Sequence, residues 1–165
     1  MPAPLPVEIR PATVADVPVL ADFNRRLARE TEGRELDPAR VTAGVAAVLG
    51  DPAKGRYWVA VPAAGGGVVG QLMLTGEWSD WRNGCFWWIQ SVYVDATHRG
   101  RGVFTALYRH VEALARATPG VCGLRLYVEH HNGPARQTYQ KLGLQPAGYE
   151  VLETDFIPST PPGPR

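Results

Sequence analysis

The sequence contains little cysteine and little net charge. Its 165 residues include two cysteines, Cys85 and Cys122, and its formal net charge is +1. The cysteines do not form a Cys-x-x-Cys spacing, which argues against a zinc site, and we expect both to be small core residues in a reducing compartment. The 4 histidines do not show the spacing of metal ligands either, so no metal is expected.

The sequence also lacks a membrane-length apolar run and a secretory signal. No run approaches the ~20 apolar residues that a transmembrane helix needs, and residues 1–12 lack the apolar core of a signal peptide. The small net charge provides no general attraction to nucleic acid or to an anionic membrane. We therefore expect one cytoplasmic domain over residues 1–165 that binds neither, with residues 158–165 as an irregular tail.

Hydrophobic periodicity and turn residues predict alternating strands and helices. The expected strands cover residues 7–10, 57–62, 68–75, 85–94 and 124–128, with one or two more within residues 148–156. The expected helices open at Thr13, at Asp37 with Pro38, at Gly102 and at Pro134. The first keeps its helical spacing through Leu27, and the other three end near Gly50, before Pro119 and at Leu142. This order predicts an α+β (α/β sandwich) fold with a central mixed β-sheet of 6–7 strands, flanked by about four helices. The strands at 85–94 and 124–128 should run parallel.

Residues 92–103 have the features of a site for a phosphate group. A buried strand ends there, and a basic, glycine-rich loop then opens an amphipathic helix. Gly100 and Gly102 let a ligand approach the backbone, and the free N–H groups and dipole of the helix start favour an anion. Arg99 and Arg101 add cationic donors. The spacing fits neither the dinucleotide fingerprint nor the Walker loop, which leaves a pyrophosphate site of another kind, or a solubilising surface loop.

This junction resembles the [Gln/Arg]-x-x-Gly-x-[Gly/Ala] motif of the GNAT superfamily of N-acetyltransferases. Arg99 and Gly102 match the motif, and Phe104 stands where the family has a small residue. A second segment, residues 132–144, resembles the family's Asn-x-x-Ala-x-x-x-Tyr-x-x-x-Gly pattern, with matches at Asn132, Ala135, Tyr139, Leu142 and Gly143. The resemblance covers most of the chain and implies a GNAT-like acyl-CoA N-acyltransferase fold.

The resemblance also implies acetyl-CoA as the cosubstrate and a set of residues that bind it. The strand before the loop would pair its main chain with the pantetheine arm and polarise the thioester through its N–H groups. The loop backbone would hold the pyrophosphate, and the second segment would contact the pantetheine. These residues are Val92, Tyr93 and Val94, then Arg99, Gly100, Arg101, Gly102, Val103 and Phe104, and finally Asn132, Ala135 and Tyr139.

Two residues are implied in the chemistry. Tyr139 would reprotonate the coenzyme A thiolate, because a phenol of pKa near ~10 is a plausible acid for a thiol of pKa near ~8.5. Gln90 stands where some amine-acetylating relatives carry a glutamate; it cannot accept a proton but could orient a water. Candidate carboxylates near strand ends are Glu77, Asp80 and Glu129, and deprotonation by bulk water is another route. Simpler interpretations stay open, in which Asn132 caps its helix and Tyr139 packs in the core.

The sequence thus leads to one leading hypothesis and two competing ones. The leading one is an N-acetyltransferase that moves an acetyl group from acetyl-CoA directly to a primary amine of a small molecule or peptide in a ternary complex. Trp78 and Trp81 would wall the acceptor pocket and suit a cationic amine, or else are ordinary packing. A non-catalytic acyl-CoA sensor or partner module is the main alternative, and a single-strand nucleic-acid binder the third. The resemblance also suggests a homodimer.

Overall fold

The computed structural model describes residues 3–157, which form a mixed sheet with helices on both faces. The strands are β1 (Val7–Pro11), β2 (Arg56–Pro62), β3 (Gly70–Ser79), β4 (Gly84–Val94) and β5 (Val121–Leu126). The helices are α1 (Val17–Glu32), α2 (Pro38–Gly50), α3 (Val103–Ala117) and α4 (Gly133–Lys141). The predicted α+β fold with four helices is therefore confirmed for the described residues. None of the helices there combines the length and hydrophobicity of a membrane span.

The sheet has the order β1-β2-β3-β4-β5. The first four strands pair antiparallel, whereas β5 runs parallel to β4, as the sequence predicts. A parallel pair needs a crossover connection, and α3 supplies it between β4 and β5. The end of β4 therefore leads directly into the glycine-rich loop and the start of α3.

The prediction of 6–7 strands is wrong for the described chain, whose sheet has five. Residues 145–157 take part in no backbone–backbone hydrogen bond within residues 3–157 and form no strand. Leu152 and Phe156 are 92% and 90% exposed. A strand is stable only when its N–H and C=O groups pair with a neighbouring edge, and β-propensity alone does not supply that edge. The tail expected over residues 158–165 lies outside the described residues.

Local capping explains why the first two helices begin where they do. Asp37 accepts hydrogen bonds from the backbone N–H groups of Ala39 (2.8 Å) and Arg40 (3.2 Å), which satisfies donors that have no partner inside α2. Pro38 follows at the first helical position, where its fixed φ suits a helix. A short 3-10 turn precedes α1, and the N–H of Thr13 donates to Asp16 at 2.8 Å. The predicted starts at Thr13 and Asp37 are confirmed.

The strands bury opposite faces against two helical layers. The layer of α3 buries Val103, Leu107, Val111, Leu72, Leu74 and Ile89. The layer of α1 and α2 buries Leu20, Ala21, Val45, Tyr57 and Val59. Cys85 and Cys122 are half-buried with free thiols, so they are not the fully buried core residues that the sequence predicts.

Candidate active site

β4 and β5 separate near their carboxyl ends. Their paired register ends at Ile89 opposite Leu126, whereas β4 continues along β3 as far as Val94. Within residues 3–157, the edge of β4 that faced β5 therefore has no strand partner from Gln90 onward. Backbone groups on such an edge can pair with an extended ligand as they would with another strand.

A β-bulge lies at the same point of β4. The register with β3 shifts between Gln71 and Met73, so Ser91 and Val92 together lie opposite the single residue Leu72. Ser91 has a φ of 49°, in the left-handed region that residues other than glycine rarely occupy. A bulge of this kind interrupts the ladder and changes the direction of the strand, and bulges are frequent next to active sites.

A buried hydrogen-bond network holds this bulge. Gln71 is 0% exposed, and its Nε2 donates to the carbonyl oxygen of Ser91 (3.0 Å) and to Oδ1 of Asn24 (2.7 Å). Nδ2 of Asn24 in turn donates to the hydroxyl of Tyr57 at 3.0 Å. The Oε1 atom of Gln71 is buried without a partner, which costs about 1–3 kcal/mol. The network therefore ties α1 and β2 to the bulge at an energetic cost.

A cleft of about 820 Å³ opens where β4 and β5 diverge. Its lining on the β4, β5 and α4 side consists of Ile89, Gln90, Ser91, Val92, Leu126, Tyr127, Val128, Glu129, Asn132 and Tyr139. Its lining on the other side consists of Asn24, Leu27, Ala28, Thr31, Glu32, Arg34, Leu36, Val41, Gly44, Val45, Val48, Tyr57 and Met73. The cleft thus brings together four predicted site residues, namely Gln90, Val92, Asn132 and Tyr139. A smaller cavity of about 190 Å³ contains none of them.

Tyr139 presents a protonated hydroxyl to the cleft. Its hydroxyl has no hydrogen-bond partner within the described chain, and the edge of its ring packs against Phe104 with centroids 5.5 Å apart. Burial raises the pKa of Tyr139 above its ordinary value of 10.0, so the phenol keeps its proton at neutral pH. The side chain can therefore act as a proton donor. Phe104 joins α3 to α4 through this contact.

Asn132 has the capping role that the simpler interpretation describes. Its Oδ1 accepts a hydrogen bond from the backbone N–H of Ala135 at 3.2 Å, at the start of α4. Its Nδ2 has no protein partner among the described residues, and the residue also lines the cleft. Asn132 can therefore cap the helix and still donate to a ligand, whereas Ala135 is not part of the lining.

The loop before α3 has the geometry of an anion site made by the backbone. Gly100 and Gly102 have φ values of 70° and 82°, which favour glycine. A Cβ at Gly102 would meet no atom within 4 Å, so there is open space in front of the helix. No backbone N–H from residues 100–105 donates to a described protein acceptor. These free donors at a helix N-terminus suit a phosphate group.

Arg99 is held by protein groups. Its Nε donates to the carbonyl of Val94 (2.9 Å), its Nη2 donates to Glu30 (2.6 Å), and its guanidinium lies 5.1 Å from the ring centre of Tyr93. Burial alone would raise the pKa of Glu30, but hydrogen bonds from Tyr93 and Arg99 outweigh it and lower that pKa. Glu30 is therefore ionised and offsets the charge of Arg99.

Arg101, Tyr93 and Val94 also have side chains that are engaged by other parts of the protein. Nε of Arg101 donates to the carbonyl of Ala3 at 3.2 Å. The hydroxyl of Tyr93 donates to Glu30 at 2.7 Å, and Val94 packs in the α3 layer. Tyr93 and Val94 can therefore contribute only main-chain groups to a ligand. An anion at this loop would therefore meet backbone N–H groups more than arginine side chains.

The candidate bases differ in their relation to the cleft. Glu77 accepts hydrogen bonds from Trp88 and Arg125, Asp80 accepts one from the N–H of Trp81, and neither carboxylate lines the cleft. Glu129 does line it, and it accepts a hydrogen bond from the N–H of His131 at 2.7 Å. Nε2 of Gln90 donates to Thr75 at 2.6 Å.

The predicted tryptophan wall is wrong. Trp78 and Trp81 are 65% and 89% exposed and lie outside the lining of the cleft. Sequence reasoning also missed Asn24, Gln71 and Ser91 as parts of the site. The available signal was a polar residue inside an apolar pattern: Asn24 interrupts the helical stripe of α1, and Gln71 interrupts a strand. Such interruptions mark buried polar groups that need partners.

Sequence comparison assigns this arrangement to a family. The Acetyltransferase (GNAT) family matches residues 20–144, a range that contains both motif segments and the whole lining of the cleft. The chain belongs to this family. Members of the GNAT family use acetyl-CoA as their cosubstrate.

Individual relatives of this GNAT protein agree with the assignment. Phosphinothricin N-acetyltransferase from Streptomyces viridochromogenes is 28% identical over an alignment of 176 residues. The alignment covers 96% of this chain and 93% of the relative. The structure of a possible acetyltransferase from Clostridium difficile 630 is 44% identical, with a TM-score of 0.83, and covers 92% of this chain and 98% of that chain. A predicted acetyltransferase with acetyl-CoA from Clostridium acetobutylicum shares the fold, at 20% identity, with a TM-score of 0.70 and coverage of 91% and 96% of the two chains.

Proposed function

We propose that this GNAT protein is an N-acetyltransferase that moves the acetyl group of acetyl-CoA directly to a primary amine of a small molecule or peptide. The observation that carries the proposal is the cleft at the divergence of β4 and β5. The free strand edge, the Tyr139 hydroxyl and the loop before α3 all lie around this divergence. The relative from Streptomyces viridochromogenes, named for N-acetylation of phosphinothricin, supports an amine as the acceptor.

The described residues fit acetyl-CoA in one orientation. The backbone of residues 99–104 would hold the pyrophosphate, because its N–H groups are free and the space in front of Gly102 is open. The main chain of residues 92–94 would pair with the pantetheine amides, as an added strand does. Nδ2 of Asn132 and the surroundings of Ala135 would contact the same arm. The thioester would then lie near the bulge at Ser91.

The chemistry follows from that placement. The amine nitrogen attacks the thioester carbonyl carbon, and N–H groups near the bulge stabilise the negative charge on the carbonyl oxygen. The C–S bond then breaks, and the Tyr139 hydroxyl donates its proton to the departing thiolate. The phenolate recovers a proton from the ammonium formed by the attack, either directly or through water. Gln90 would orient that water.

The proposal assigns no carboxylate as general base. Glu32 lines the cleft but is paired with Arg34, with the two atoms 3.3 Å apart, and Glu129 is used by the turn before α4. We therefore infer that the amine loses its first proton to bulk water. The same observation favours the alternative function, an acyl-CoA sensor or partner module without turnover.

An assay of thiol release distinguishes the two functions. Purified protein is mixed with acetyl-CoA and a panel of primary amines, and free coenzyme A thiol and acetylated amine are measured together. An acetyltransferase releases thiol in proportion to the acetylated product. A sensor binds acetyl-CoA but gives no product with any amine. Several expectations from the sequence stay predictions. They are that the protein acts as one cytoplasmic domain, that it binds no nucleic acid, membrane or metal, and that it forms a homodimer.

A further inference from the structure

The part of the cleft that the proposed function leaves to the acceptor is formed by α1, α2 and the strands behind them. We propose, on the basis of that function, that the acceptor is a primary amine on an uncharged apolar body, aliphatic or aromatic, and not an amino acid with further anionic groups. The wall here includes Leu27, Leu36, Val41, Val48 and Met73. These side chains are half-buried, so a bound apolar group would remove their remaining surface from water.

The charges around this part of the cleft agree with an uncharged body. Among the described lining residues Arg34 is the one basic side chain, and it is paired with Glu32, which also lines the cleft. Two polar side chains of this wall, Asn24 and Tyr57, are uncharged, and Nδ2 of Asn24 donates a hydrogen bond to the Tyr57 hydroxyl at 3.0 Å. A carboxylate or phosphinate would lose its water there without gaining a cationic partner of its own, which is unfavourable.

Arg125 does not supply a cationic partner to the cleft either. It lies on β5, but it donates to Glu77, and its guanidinium stacks 3.7 Å from the ring centre of Phe86. It is not part of the lining of the cleft. The exposed Trp78 and Trp81 are also outside it, so no cation–π cage for a polyamine is formed by those two residues.

Gly44 determines how much room the acceptor has. It lies in α2, lines the cleft, and a Cβ built on it would meet no atom within 4 Å. The Cβ position is therefore open, and we expect a larger side chain at this lining residue to take up part of the acceptor space. Replacing a helical glycine also favours the helix, so Gly44→Leu should fold at least as well as the parent protein.

The first test compares acceptors of opposite kinds. Rates of acetyl-CoA-dependent thiol release are measured with 2-phenylethylamine and hexylamine, and with phosphinothricin, whose amine lies beside a carboxylate and a phosphinate. The expected result is a kcat/KM for the apolar amines at least about tenfold higher, within the range by which apolar pockets discriminate. A preference for phosphinothricin would overturn the inference while leaving the acetyltransferase function in place.

The second test places the acceptor beside α2. Gly44→Leu should lower kcat/KM for 2-phenylethylamine by about tenfold or more, while the calorimetric Kd for acetyl-CoA stays unchanged. Ala47→Leu is the matched control, because Ala47 is exposed on the same helix and outside the lining, and it should behave as the parent protein. Equal kcat/KM values for the two variants would refute the placement. Binding of acetyl-CoA without turnover of any amine would instead refute the proposed function, and this inference with it.

Discussion

At the scale of single residues, the Tyr139 hydroxyl faces the cleft without a protein partner in the described chain, and burial raises its pKa above 10.0. A phenol in this state keeps its proton at neutral pH. In the proposed reaction it passes that proton to the leaving coenzyme A thiolate, which is a weaker base than the phenolate because a thiol has a pKa near ~8.5, so the step depends on the ammonium formed by the attack returning a proton to the phenolate. This residue therefore links the local geometry to the proposed reaction, and its role is open to a direct test.

Tyr139→Phe should lower kcat by about 100-fold or more, since a positioned general acid contributes that much. The ring contact with Phe104 remains, so the Kd for acetyl-CoA and the melting temperature should stay close to those of the parent protein. Tyr108→Phe, a buried tyrosine outside the cleft, serves as the control and should retain kcat. Steady-state kinetics of the three proteins check this, and an unchanged kcat in Tyr139→Phe would remove the residue from the mechanism.

Asp16 is the residue for which stability should depend most clearly on pH. It is 6% exposed, and its hydrogen bond with Arg10 lowers its pKa from 3.8 to about 2. Because the folded pKa is the lower one, this stabilisation is complete above the unfolded pKa and is lost as the pH falls from about 4 to about 2.

Asp16→Asn should therefore lower the free energy of unfolding by about 2 kcal/mol near neutral pH, since one pKa unit corresponds to about 1.4 kcal/mol. The difference from the parent protein should shrink at about pH 3. Urea unfolding at the two pH values measures both quantities. A difference that does not change with pH would show that the ion pair with Arg10 is not its source.

At the scale of elements, the bulge in β4 depends on contacts that are distant in sequence. Gln71 lies on β3. It donates hydrogen bonds to Ser91 on the neighbouring strand β4 and to Asn24 on helix α1. The strand before the glycine-rich loop thus has a shape that its own sequence does not determine. The geometry of the proposed thioester site is set by this network as much as by the motif itself.

Gln71→Leu should lower the free energy of unfolding by about 1–3 kcal/mol, because the carbonyl of Ser91 and Oδ1 of Asn24 lose their donor inside the protein. The freed bulge should also raise the KM for acetyl-CoA. Denaturant unfolding and steady-state kinetics provide the two readouts. An unchanged midpoint with an unchanged KM would mean that the bulge keeps its shape without Gln71.

The elements that sequence reasoning predicted well are those with local causes. The start of α2 follows from Asp37 and Pro38, whose effects act within one turn. The bulge at Ser91 could not be predicted in this way, because it arises from the register between two strands. The prediction of strands in residues 148–156 was wrong for a related reason. Their β-propensity is a local property, whereas strand pairing needs an edge supplied by another element.

At the scale of the whole molecule, the site lies where the two layers and the diverging strands meet. The motif residues could be placed from the sequence, because Gly102 and Tyr139 match family patterns. The acceptor side could not, since α1 and α2 reach the cleft only through tertiary packing. The arginines of the loop also differ from the expectation, because Glu30 and Ala3 hold them.

Calorimetric titration of acetyl-CoA tests the central claim, that the loop before α3 binds the cosubstrate. Gly102→Val and Gly120→Val form a matched pair, because the two glycines have φ values of 82° and 81° and both have open space at the Cβ position, but Gly120 lies at the far end of α3. The parent protein and Gly120→Val should bind acetyl-CoA with a free energy of roughly −8 kcal/mol, and Gly102→Val should bind it at least about tenfold more weakly, a loss of about 1.4 kcal/mol. The absence of binding to the parent protein, or equal affinity in the two variants, would contradict the account.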